Sequence, residues 1–296
     1  MGVALSLLSM LGFAANILLT RYAMMRLSVE VGFLVALATN ILFPAALFAF
    51  DWAVRTTPFT WDWNGAALFA LGGVIGTFLG RRLLFDAVQL LGPSRASVFH
   101  STAPAFALVA AWLLADERLG LYEIGLMALV WLGLWFTQPR ASATGGVPAR
   151  ANLRKGMLFG LLTVAGFGFG SVLRGLAMRG WHEALLGAFV ASAAALACQV
   201  VVTRDWAKIL AQLRAADRVA LWLYVGCGVT TSLGAIFMSL AMMRMEIALS
   251  MLVVHTTPLV IFPFSVFILR NREELAARTV LGAMMVLSGI ALLAFR

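Results

Sequence analysis

The 296-residue chain is 62% hydrophobic and only 12% charged, with a mean hydropathy of +0.95, so it has too little polar surface to cover a soluble globule of its length. The net charge of +9 does not mark a nucleic-acid binder, because the 22 basic residues are scattered over loops and segment ends, with no basic run or stacking platform. The two cysteines, Cys198 and Cys227, lie in apolar stretches with no paired spacing and read as packing thiols, with no disulfide or metal framework.

Ten apolar segments follow in chain order, near residues 3–25, 30–50, 65–90, 94–114, 120–138, 155–176, 183–203, 219–242, 247–269 and 279–295. Each has about the 20 residues that cross a hydrocarbon core of roughly 30 Å. None alternates with period two, so the expectation is an all-α membrane protein and not a barrel. The first segment follows an uncharged start and lacks a small-residue cleavage site, which predicts a retained helix. It carries Asn16 at depth, with Thr20 and Arg21 closer to its end.

The third segment holds Gly72, Gly76 and Gly80, a stripe that lets a neighbouring backbone approach closely. Arg81, Arg82 and Asp86 follow. Intramembrane charges are costly and generally face a cavity or each other. Arg82 and Asp86, spaced i and i+4, form a candidate structural pair, which leaves Arg81 as the candidate substrate ligand. The alternative is that both arginines snorkel to the nearby loop.

The fourth segment contains His100-Ser101-Thr102-Ala103-Pro104, echoed in the ninth by His255-Thr256-Thr257-Pro258. Each proline removes a backbone donor and predicts a helix kink, freeing the carbonyls of His100 and Val254. The histidines either carry protons or bind substrate near neutral pH, or they join helices by hydrogen bonds.

Pro139 to Arg154, rich in Gly, Pro, Ala and Arg, reads as a linker between residues 1–138 and 155–296. In the second part, Ser171 and Thr231 add hydroxyls as binding candidates. Arg174, near a segment end, reads as a snorkelling side chain. The 204–218 connection carries a short amphipathic pattern, and Trp52, Trp61, Trp63, Trp181 and Trp206 read as interfacial anchors.

The two parts repeat each other. Gly12, Phe13, Ala23, Met24, Gly72, Gly80, Ala87, Thr102 and Pro104 recur 154 positions later as Gly166, Phe167, Ala177, Met178, Gly226, Gly234, Ala241, Thr256 and Pro258. Five segments per copy is an odd number, so the second copy sits inverted in the membrane. Arg81, Arg82 and Asp86 fall opposite Ala235, Ile236 and Leu240, and positions polar in only one copy are free to serve a substrate.

The stretch from Leu71 to Phe136 resembles the EamA-like unit of the drug/metabolite transporter superfamily. The matching residues are Gly72, Gly76, Gly80, Ala87, Pro104, Glu117, Arg118, Gly125 and Gly133, and the second copy keeps Gly226, Gly234, Ala241, Pro258, Gly282 and Gly289. The resemblance implies segments one, three, four, six, eight and nine around a central cavity, with five and ten outside. It also implies both termini in the cytoplasm. The charges imply the opposite: 14 Lys and Arg fall on the face of the linker and 6 on the other.

Enzymatic signatures are missing. The two lysines make no phosphate loop, and the three histidines lack HExxH spacing. The reading is a monomeric secondary transporter of the inner cell membrane that works by alternating access and uses no cofactor. Its partners are a small carboxylate-bearing metabolite, the lipid bilayer and protons, with export favoured. The alternatives are an exporter of amphipathic drug or lipid-like compounds, a membrane-embedded enzyme, and a scaffold or receptor.

Overall fold

The computed structural model describes residues 1–56, 58–91, 99, 102–118, 120–137, 150–257, 259–261 and 277–294. Among them there are helices and no strands. In chain order these are α1 Gly2–Ala23, α2 Val29–Val54, α3 Trp63–Leu91, α4 Ala103–Ala115, α5 Leu121–Thr137, α6 Arg150–Gly180, α7 Ala184–Val202, α8 Trp206–Arg214, α9 Arg218–Met242, α10 Ile247–Val254 and α11 Ala277–Ala294. Six of them (α1, α2, α3, α7, α9 and the 153–180 stretch of α6) are long and apolar enough to cross a membrane. The sequence therefore yields a multi-pass membrane protein. Helix α6 starts inside the expected linker, at Arg150, and runs 31 residues to Gly180.

Aspartates start three of the helices: Asp62 accepts the backbone N–H groups of Asn64 and Gly65, Asp205 that of Lys208, and Asp217 that of Val219. Small residues then set the packing. Helix α1 crosses α9, and α3 crosses α6, along glycine faces. Helix α2 lies between α7 and α9, α5 pairs with α11, and α4 leans on α6 and α10. All eight residues of α10 are buried, as a helix apolar on every side requires.

Polar contacts between loops join the ends of the helices. On the linker face, Arg26 pairs with Asp217 at 2.7 Å and Ser28 donates to Gln212 at 2.8 Å. On the opposite, terminal face, Arg55 is gripped by Glu183 and Asp51, two carboxylates that hold its guanidinium well above the usual arginine range. Trp181 departs from the anchor reading. It is 3% exposed, its indole donates to the Thr60 carbonyl at 3.1 Å, and its ring meets Trp61 and Phe69 edge-on. The amphipathic stretch of the 204–218 connection is α8, which has no buried residue.

Candidate functional site

The middle of α3, Gly73–Gly80, is π-helical. A π-helix bonds i to i+5 and recurs at functional sites. Tight packing accompanies it here: a β-carbon on Gly73 would fall 2.1 Å from the Ala191 carbonyl oxygen of α7. On another side, Gly72 and Gly76 meet Gly170 of α6, and Gly80 lies under the ring of Phe167. The stripe brings α3 against α6, and the wide turn ends at Arg81.

Arg81 points into the bundle. Its guanidinium lies over the ring of Phe33 in α2, 4.9 Å from the centroid, a geometry in which the ring's negative face attracts a cation. Thr77, four residues before Arg81 on α3, accepts from the Arg174 guanidinium of α6, and the Cys227 thiol of α9 is within electrostatic reach of Arg81. The thiol in turn sits 3.3 Å from the Thr20 hydroxyl of α1, which donates to the side-chain oxygen of Asn16 at 3.4 Å. Arg81, Arg174, Cys227, Thr20 and Asn16 thus form one polar cluster where α1, α3, α6 and α9 meet.

Arg174 was not legible as part of this cluster. It lies six residues before the end of α6, about 9 Å at 1.5 Å per residue, too deep to snorkel easily. Its stem runs beside Gly72, where a β-carbon would lie 2.9 Å from the Arg174 Cγ. Its Nη2 donates to the Thr77 hydroxyl, and its Nε is buried and meets no acceptor among the described residues. The sequence signal was the break in the repeat that puts Arg174 opposite Thr20.

Arg82 and Asp86 do not pair: among the described residues no ion pair joins them, and Arg82 is exposed. An exposed i, i+4 pair gains little Coulomb energy and loses side-chain entropy, so the two need not hold each other. Arg21 is exposed at the end of α1, as snorkelling requires.

His100, Ser101 and Pro258 lie outside the described residues. Pro104 sits in the first turn of α4, not at a kink within it, and there its missing N–H costs nothing. Regular α10 stops at Val254, turns over 255–257 and resumes at 259–261. The Val254 carbonyl is not free, because the Thr257 hydroxyl donates to it at 2.8 Å. Thr102 and Thr256 donate to Phe99 and Val253 at 2.7 Å and 2.6 Å, with the Met10 sulfur 3.1 Å from Thr256. His255 Nδ1 lies 2.9 Å from the Met251 carbonyl. Ser171 and Thr231 are half-buried.

Sequence reasoning gave no role to the Glu117 side chain on the terminal face. It is buried, accepts the N–H groups of Ile247 and Ala248 at 2.8 and 3.2 Å, and pairs with Arg179 at 2.5 Å. One carboxylate so ties the α4–α5 turn to the start of α10 and the end of α6. A cleft of about 470 Å³ opens beside this tie, lined by Arg179, His182, Arg244 and Glu246 among others, on a different part of the molecule from Arg81.

Residues 1–138 match the sequence pattern of the EamA-like transporter family, part of the drug/metabolite transporter superfamily, and this stretch belongs to that family. No curated protein matches the chain. A solved structure, described only as the crystal structure of a protein, superposes with a TM-score of 0.73 at 16% identity, covering 99% of this chain and 96% of that one. That likeness concerns the fold. The chain is a multi-pass membrane protein whose first 138 residues match that family.

Proposed function

We propose that the chain is a ten-helix secondary transporter of the inner cell membrane, built from two inverted five-helix units. It exports a small carboxylate-bearing metabolite by alternating access around the interior cluster at Arg81. The observation that carries the reading is Arg81 itself: a guanidinium inside the bundle, stacked on Phe33 and free of any ion pair among the described residues. A desolvated cation of this kind is stabilised by an arriving anion.

Mirrored contacts support the inverted repeat. Helix α1 meets α9 as α6 meets α3, and α1 meets α10 as α6 meets α4. Thr102 bonds Phe99 as Thr256 bonds Val253, 154 residues on. Two units related in this way give the two half-pathways that alternating access needs. Protons are the proposed coupling ion, with His100 and His255 as carriers.

The test is flux of labelled amino acids and other small carboxylates in proteoliposomes, with and without an imposed pH gradient. Saturable flux that the gradient drives uphill is the expected result. Flux no faster than in protein-free liposomes for every compound would overturn the reading.

A further inference from the structure

We infer that Arg81 and Arg174 act together as one seat for an anion carrying two negative charges, so that the transported compound is a dianion and not a monocarboxylate. The inference deepens the transport reading above and rests on it.

Two guanidinium groups from different helices, α3 and α6, come together along α3: Arg174 reaches across to the Thr77 hydroxyl, four residues before Arg81 on the same helix, and neither arginine has a carboxylate partner among the described residues. Like charges brought together away from water repel, and one monoanion would neutralise only half of the pair. A dianion neutralises both. Arg174 also has donor capacity to spare. Its Nη2 is held by the Thr77 hydroxyl, a weak neutral acceptor, while its buried Nε donates to nothing among the described residues. The Nε and Nη edge of a guanidinium is the fork that grips a carboxylate or phosphate by two parallel hydrogen bonds. In this arrangement Thr77 holds the fork in place and gives way to the stronger, charged acceptor.

Asn16, Thr20 and Cys227 continue the polar surface beyond Arg81. They offer neutral hydrogen bonds to the uncharged part of the compound. The helices are built to admit the second arginine. Gly72 leaves room for the Arg174 stem, and the opposite repeat has Thr20 where this one has Arg174, so the double charge belongs to one side of a symmetric frame.

Dicarboxylates and phosphate monoesters share the chemistry of two charges on oxygens, and the test separates them. Purified protein in nanodiscs is titrated with succinate, with succinamate, which has the same size and one charge fewer, and with glycerol 3-phosphate beside glycerate. Wild type is expected to bind at least one dianion tenfold or more tightly than its monoanionic counterpart, and which pair shows the difference identifies the source. Arg174→Gln is expected to bring that ratio close to one, and Arg174→Lys to keep part of the preference. An unchanged ratio in Arg174→Gln would assign Arg174 to helix packing and overturn the inference. So would wild type binding succinate and succinamate, and likewise glycerol 3-phosphate and glycerate, with equal affinity, a comparison that stands even if the variant does not fold. Monoanion binding and flux without dianion preference would sink the double seat alone, whereas absence of any flux would sink the transporter reading.

Discussion

Gly12 backs directly onto Gly234: a β-carbon on Gly12 would lie 2.9 Å from the Gly234 amide nitrogen and 3.0 Å from its Cα. The next residue completes the contact, since a β-carbon on Gly234 would meet the Phe13 ring at 3.2 Å. The partner crossing repeats it, with Gly80 meeting Phe167 at 3.2 Å. Helices in lipid associate through such close backbone approach.

Gly12→Ala is therefore expected to destabilise the protein by about 1–3 kcal/mol, the usual cost of overpacking a tight contact. Gly125→Ala, at a helical glycine where an added β-carbon would meet nothing among the described residues within 4 Å, should leave stability unchanged or slightly raised. Thermal melting of both variants in detergent makes the comparison. Equal melting temperatures would remove the α1–α9 crossing as a stabilising contact.

The two neighbouring arginines separate cleanly. Arg81→Ala should weaken substrate affinity by about 1.5–3 kcal/mol, the worth of a charged hydrogen bond, or roughly tenfold to more than a hundredfold. Arg82→Ala, at an exposed site with no ion pair among the described residues, should change affinity and stability by less than about 0.5 kcal/mol. Transport kinetics and melting on the two variants check this, and a larger effect at Arg82 would reverse the assignment.

Much of this was legible in the sequence, because the membrane imposes a length and apolarity that each helix must meet by itself. Arg81 stood out as a charge that one copy has and the other lacks. What was missed depends on tertiary contact. The π-helical turn goes with Gly73 packing against Ala191 of a distant helix, and the depth of Arg174 depends on α6 running on to Gly180. The carbonyl below Pro258 was expected to be free, but Thr257 of the same turn takes it up, an arrangement the sequence permits without requiring.

Glu117→Gln tests the tie on the terminal face. An amide keeps one acceptor oxygen where the carboxylate serves Ile247, Ala248 and Arg179, so at least one partner is left unmet. The expected loss is about 1.5–3 kcal/mol, read as a lower melting temperature. Arg118→Gln is the control, since its 3.5 Å pair with Asp116 is exposed on both sides and should contribute nothing measurable.

If His100 or His255 carries a proton, transport should depend on pH through the range in which the imidazole gains and loses that proton. Gln at both positions should flatten the profile. An unchanged profile in the double variant would leave the histidines structural, with His255 simply holding the Met251 carbonyl.

The most direct measurement of the central claim is counterflow. Proteoliposomes preloaded with an unlabelled transported carboxylate should take up the labelled compound faster than empty ones, because a site open alternately to each face returns faster when loaded. Wild type and Arg82→Ala should show this acceleration, and Arg81→Ala should lose it. Counterflow in Arg81→Ala equal to that of wild type would contradict the claim that the interior arginine holds the substrate.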